Sequence, residues 1–169
     1  STLPKELAAM IDALGDQAFM NVKEWQISGR FFSFSKGELA SLDIFTDYVK
    51  FPDMQRTEFG KERDRKIQIN RGKEGWNVGP SSSGKGGPEV TSQSMRETQA
   101  FLDNFKTSFD YVVRFVANDP KANVLNTGSE VVDYKRADVV EIRDSSKNLL
   151  RIYIDRETHL PARSGRAHV

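Results

Sequence analysis

Residues 79–85 of this 169-residue chain read Gly-Pro-Ser-Ser-Ser-Gly-Lys, the Gly-x-x-x-x-Gly-Lys spacing of a phosphate-cradling loop. In such a loop backbone amides surround the phosphates, the lysine reaches them, and a following Ser or Thr hydroxyl holds Mg²⁺. Here Gly86 follows Lys85, so that hydroxyl is missing. Pro88 stands where the helix that offers its amides to phosphate would begin. A flexible glycine-serine loop accounts better for residues 79–88. The two histidines are His159, in a turn, and His168, near the chain end. With no third imidazole they make a poor metal set, and no metal site is expected. No serine lies in a Gly-x-Ser-x-Gly elbow, so a hydrolase triad lacks its nucleophile. The run Lys61-Glu62-Arg63-Asp64-Arg65-Lys66 mixes its signs, as a solvated connection does and a nucleic-acid patch does not. Neither catalytic residues nor a cofactor are expected, and the chain does not read as an enzyme.

The aromatic residues are harder to set aside. Phe31, Phe34, Phe45, Tyr48, Phe51 and Trp76 fall on expected strands, and Phe101, Phe105 and Phe109 on an expected helix. A filled core is the ordinary explanation for such a set. The elements that carry it point elsewhere. From Trp25 the period is two, with Trp25, Ile27, Gly29 and Phe31 on one side and Phe32 and Phe34 on the other. A turn at Lys36-Gly37 leads into a second strand over residues 39–51. There Leu42, Ile44, Thr46 and Tyr48 oppose Phe45, Val49 and Phe51. Large apolar groups on both faces require cover on both, from a helix, a ligand, or the two together.

The rest of the chain supplies candidate cover. Leu7, Met10, Ile11 and Leu14 space out one face of an opening helix, with Pro4 in its first turn. Ile67 and Ile69 alternate with Gln68 and Asn70 before the turn Gly72-Lys73-Glu74-Gly75 and Trp76. A helix starting near Ser92 or Ser94 shows one stripe through Phe101, Leu102, Phe105, Phe109, Val112, Val113 and Val116, and Asn118-Asp119-Pro120 ends it. Strands resume around Val124 and over residues 131–134, 137–143 and 149–155. The segment from Leu160 to Val169 reads as a strand still in progress, so the sheet is expected to continue beyond the C-terminus.

Composition agrees with one domain over residues 1–169. Lys and Arg number 25 against 24 Asp and Glu, so no global field recruits nucleic acid or an anionic membrane. Eleven phenylalanines within a chain of mean hydropathy −0.57 mark a strongly amphipathic fold. The lack of cysteine excludes disulfides and thiolate chemistry. No apolar run approaches the length of a membrane span. Ser1-Thr2-Leu3-Pro4 has no signal-peptide layout, so an exported protein would appear here already processed.

The order of elements, two long strands ending in Val49-Lys50-Phe51-Pro52, the hairpin Gly72-Lys73-Glu74-Gly75-Trp76 and the late Asp155-Arg156-Glu157-Thr158-His159-Leu160-Pro161 together resemble the LolA/LolB-like lipoprotein-carrier superfamily. The last of these is similar to an Asp-x-x-Thr-Gly-Leu-Pro turn of its lipoprotein-sorting-like members. The resemblance implies an α+β fold: a strongly curved antiparallel sheet, an unclosed β-barrel, with helices covering its concave face. It implies acyl chains of a lipid or lipoprotein as ligand and a periplasmic or cell-envelope location. Phe51 stands where the periplasmic carriers have an arginine before the proline, Gln55 and Arg56 where they have an aromatic, and His159 where the turn has glycine. The cavity-lining candidates are Phe31, Ile44, Phe45, Tyr48, Ile67, Ile69, Trp76, Phe105 and Phe109. The alternative is a protein-interaction or envelope-sensor module whose sheet is fully packed and whose partner is another envelope protein.

Overall fold

The computed structural model describes residues 3–61 and 64–166. His168 and the Glu62-Arg63 pair of the mixed-charge run lie outside the described residues, as does the end of the expected last strand. The fold is α+β with two antiparallel sheets, neither closed into a barrel. The described residues form two units. One takes the chain up to Val22 and again from Asn104; the other is Lys23–Asp103.

The Lys23–Asp103 unit is a six-stranded meander in sequence order: β1 (Glu24–Ser35), β2 (Glu38–Lys50), β3 (Met54–Phe59), β4 (Lys66–Arg71), β5 (Glu74–Gly79) and β6 (Glu89–Ser92). Strand register sorts its side chains onto two faces. The row Gln26, Tyr48, Arg56, Ile69, Trp76 and Ser92 defines one, called here the Trp76 face. Trp25, Val49, Gln55, Asn70 and Gly75 make the first row of the other, the Val49 face. Strand β3 pairs with β2 only from Phe45 to Lys50, so residues 30–44 form a two-stranded ribbon beyond the body of the sheet. A bulge after Ser33 leaves Phe34 opposite Leu39.

Gly75 permits a close approach on the Val49 face. The Gln93 side chain crosses it, accepting from Asn70 Nδ2 at 2.7 Å and donating to Asn77 Oδ1 at 3.1 Å. The Gln93 amide donates to the Gly75 carbonyl at 2.8 Å. These bonds satisfy Asn70, one of the few buried polar residues among those described.

The other unit has a four-stranded sheet in the order β10 (Pro161–Arg166), β9 (Leu149–Asp155), β8 (Lys135–Arg143) and β7 (Asn123–Val132). Helix α1 (Lys5–Ala13) buries Leu7, Met10 and Ile11 in one cluster with Val140, Ile142, Ile152 and Ile154. The short α2 (Gln17–Met20) follows. Its Phe19 ring carries the Arg114 guanidinium 4.0 Å from its centroid, and Arg114 donates to Asp110 Oδ1 at 2.6 Å.

The expected helix ending near Val116 is interrupted. Helix α3 (Met95–Lys106) opens on a capping box, in which the Ser94 amide and hydroxyl each donate to Glu97 Oε2 at 2.7 Å. Ser108 then stops it: its hydroxyl donates to the Phe105 carbonyl at 2.7 Å and accepts from the Tyr111 amide at 3.3 Å. A short α4 (Phe109–Tyr111) and a π-helical turn (Val112–Val116) complete the segment.

Candidate functional site

The Trp76 face of the six-stranded sheet holds a concavity of about 650 Å³, within the size range of small-molecule sites. Tyr48 of β2, Ile69 of β4 and Trp76 of β5 lie in one cross-strand row, with Arg56 of β3 between Tyr48 and Ile69. The next row sets Met54 between Lys50 and Arg71. Gln26 and Glu24 of β1 close the far side. Alternation explains the gathering: each strand offers every second residue to this face, so Tyr48 and Lys50, Met54 and Arg56, and Ile69 and Arg71 arrive as pairs.

Beyond the concavity the hydrogen-bonded Ser28–Thr46 pair makes the next row of this face, and apolar groups resume on the ribbon. Along the ribbon the same face carries Ile44, Leu42 and Phe32, exposed by 47%, 51% and 49%, and then Phe34 and Leu39 at 68% and 56%. An apolar stripe of this length in water marks a binding surface more often than a tolerated exposure.

Of the residues expected to line a cavity, the structure brings Tyr48, Ile69 and Trp76 together. Ile44 and Ile67 share their face outside the concavity, Ile44 on the ribbon and Ile67 in the row of Val78. Phe31 and Phe45 point to the Val49 face instead. Phe45 lies opposite Gly29 with its ring against that glycine, where a Cβ would fall 2.9 Å from Cε1. Phe105 and Phe109 fall in the unit beyond Asn104. Phe105 is buried with its ring edge-on to Tyr111 at 6.0 Å, and Phe109 packs on the cluster of α1, β8 and β9. The other lining residues of this face, Glu24, Gln26, Lys50, Met54, Arg56 and Arg71, escaped the sequence reading. A signal existed in the spacing, because Lys50 and Arg71 each sit two residues beyond an apolar candidate.

Strand β6, not a helix, follows the glycine-serine loop, so no helix N-terminus completes a phosphate cradle. Among the described residues no three His, Asp or Glu side chains are grouped to hold a metal ion. His159 adopts φ +58°, the left-handed conformation that favours glycine, and its amide donates to the Asp155 carbonyl at 2.8 Å. Asp155 Oδ1 accepts from the amides of Thr158 at 2.9 Å and Glu157 at 2.8 Å, which hold its carboxyl below the usual carboxylate range. This carboxylate therefore organises a turn. No described helix is long and apolar enough to cross a membrane.

Neither a protein-family model nor a curated protein sequence matches this chain. Among solved structures, a DUF1329 family protein from Desulfovibrio piger is similar over 98% of this chain and 74% of its own, at 14% identity and a TM-score of 0.49.

Proposed function

We propose that the protein binds the acyl chain of a lipid or lipid-modified protein on the Trp76 face, without catalysis, in the bacterial cell envelope. The supporting observation is the 650 Å³ concavity lined by Tyr48, Ile69 and Trp76, with exposed Ile44, Leu42 and Phe32 farther along the same face on the ribbon. Covering ~200 Å² of acyl chain at about 25 cal/mol/Å² supplies up to ~5 kcal/mol before the costs of association, enough for measurable affinity. The envelope location and the carrier role rest on the resemblance of the strand-turn and hairpin motifs. A fully packed interaction module has less support, since Tyr48 and Met54 remain 39% and 37% exposed.

The test is titration of the whole chain with a fluorescent fatty acid, with a thermal melt beside it. Saturable binding, a raised Tm and weakening by Trp76→Ala are the expected results. Absence of both binding and a melting shift overturns the reading.

A further inference from the structure

Charge is unevenly placed around this concavity. Met54 has Lys50 on one side and Arg71 on the other in its cross-strand row, with Arg56 two residues along its own strand. Direct cross-strand neighbours have Cβ atoms about 5 Å apart, and same-face neighbours along a strand are about 7 Å apart. Three cations therefore surround one thioether, and Glu24 is the one acidic residue of the lining.

The three are not equivalent. Arg56 Nε donates to Glu58 Oε1 at 2.7 Å, and Arg65 shares that carboxylate at 3.2 Å. Arg71 Nη2 donates to Glu74 Oε2 at 2.8 Å. Lys50 is exposed and makes no ion pair with a described residue, although Glu24 faces it across the β1–β2 ladder. An anion arriving here exchanges partners at Arg56 and Arg71 but adds one at Lys50. Lysine suits the position, since its methylene stem lies along apolar surface while the ammonium stays in water.

We propose that Lys50, Arg56 and Arg71 seat the anionic headgroup, carboxylate or phosphate, of an amphiphile whose chain runs over Tyr48, Ile69 and Trp76. This rests on the acyl-binding reading above and adds the charge of the ligand and the end at which its head lies. Lys50 is then the residue that discriminates by charge.

Four dodecyl probes test it, each below its micelle-forming concentration and titrated into the whole chain by calorimetry: dodecanoate, dodecyl phosphate, dodecyl maltoside and dodecyltrimethylammonium. Both anions are expected to bind about tenfold or more tighter than the cation, a difference well resolved in Kd. Added salt is expected to weaken the anions and leave the maltoside unchanged. Lys50→Glu removes the preference, whereas Lys121→Glu, the same charge change on another unit, retains it. Lys50→Met replaces the first variant if that one fails to fold. The relative affinity of dodecanoate and dodecyl phosphate identifies which headgroup the seat takes. Maltoside binding without an anion preference, or a preference unaltered by both Lys50 variants, overturns the anion seat and leaves the acyl reading standing. Failure of all four chains to bind overturns both.

Discussion

At the scale of single residues, Gly75 and Asp155 do structural work that the sequence shows only as turn chemistry. A Cβ at Gly75 would overlap Gln93 Oε1 and Cδ and lie 2.7 Å from Asn70 Nδ2. Gly75→Ala is therefore expected to cost about 1–3 kcal/mol in urea denaturation, because the side chain in the way is tied into a buried polar network. A loss within about 0.5 kcal/mol, the range of an ordinary surface change, would show that Gln93 swings aside freely. Asp155 gives a pH signature. The Thr158 amide first, then the Glu157 amide, favours its ionised form, so its folded pKa lies below the unfolded value. The stabilisation is thus present above the unfolded pKa of about 3.9 and lost as pH falls through the folded one. Comparing Asp155→Asn with the parent by denaturation across pH 2–7 should show a stability gap that is constant near neutrality and closes on the acid side, with that range chosen from carboxylate reference values of about 4. A gap that widened in acid would contradict the sign. The Asp155 turn was legible as a motif, but its amide partners were not, since hydrogen bonds to a backbone leave no trace in residue type.

At the scale of elements, alternation made β1, β2 and β4 readable, and even their facing was correct. Phe31 and Phe45 were nonetheless grouped with Tyr48 as one lining, although they occupy the face opposite to Tyr48. Strand β3 was almost silent: Met54, Arg56 and Glu58 alternate with Gln55, Thr57 and Phe59, and neither set is apolar. Its membership follows from pairing with β2 and β4, information that resides in other strands. The interrupted helix shows the opposite error, a pattern too regular. Phe101, Phe105 and Phe109 keep a four-residue spacing through a break that lies between the last two. Thr107 and Ser108 were the available signal, since hydroxyl side chains compete with helical backbone bonding. Ser108→Ala is expected to cost about 1 kcal/mol through loss of the α4 cap, read from the midpoint of chemical denaturation. A gain in both stability and helical circular dichroism would mean that the serine, rather than the surrounding packing, imposes the break.

At the scale of the whole molecule, the two units differ in what holds them. Among the described residues, the buried apolar side chains of Lys23–Asp103 are Val49 and Leu102, whereas the other unit has the α1, β8 and β9 cluster. Composition could not reveal this, because bulky aromatics count equally whether they are buried or exposed. Hydrogen exchange should report the contrast directly. Amides of Val140, Ile142, Ile152 and Ile154 are expected to exchange slowest, and those of residues 30–44 among the fastest of any strand. Saturation with a fatty acid should slow exchange along β2, β4 and the ribbon while leaving β8 and β9 as they were. Equal slowing everywhere would speak against a ligand on the Trp76 face. The discontinuity of the cored unit also bears on how the chain is made. Leu7 and Met10 are made before the intervening unit, whereas Val140, Ile142, Ile152 and Ile154, which complete their cluster, follow about 130 residues later, on the order of ten seconds at ordinary synthesis rates. The six strands of the intervening unit emerge whole during that wait. Any nascent chain stalled before β9 therefore displays an uncovered apolar helix ahead of the six strands, and that helix is where a chaperone or a protease would meet an unfinished copy.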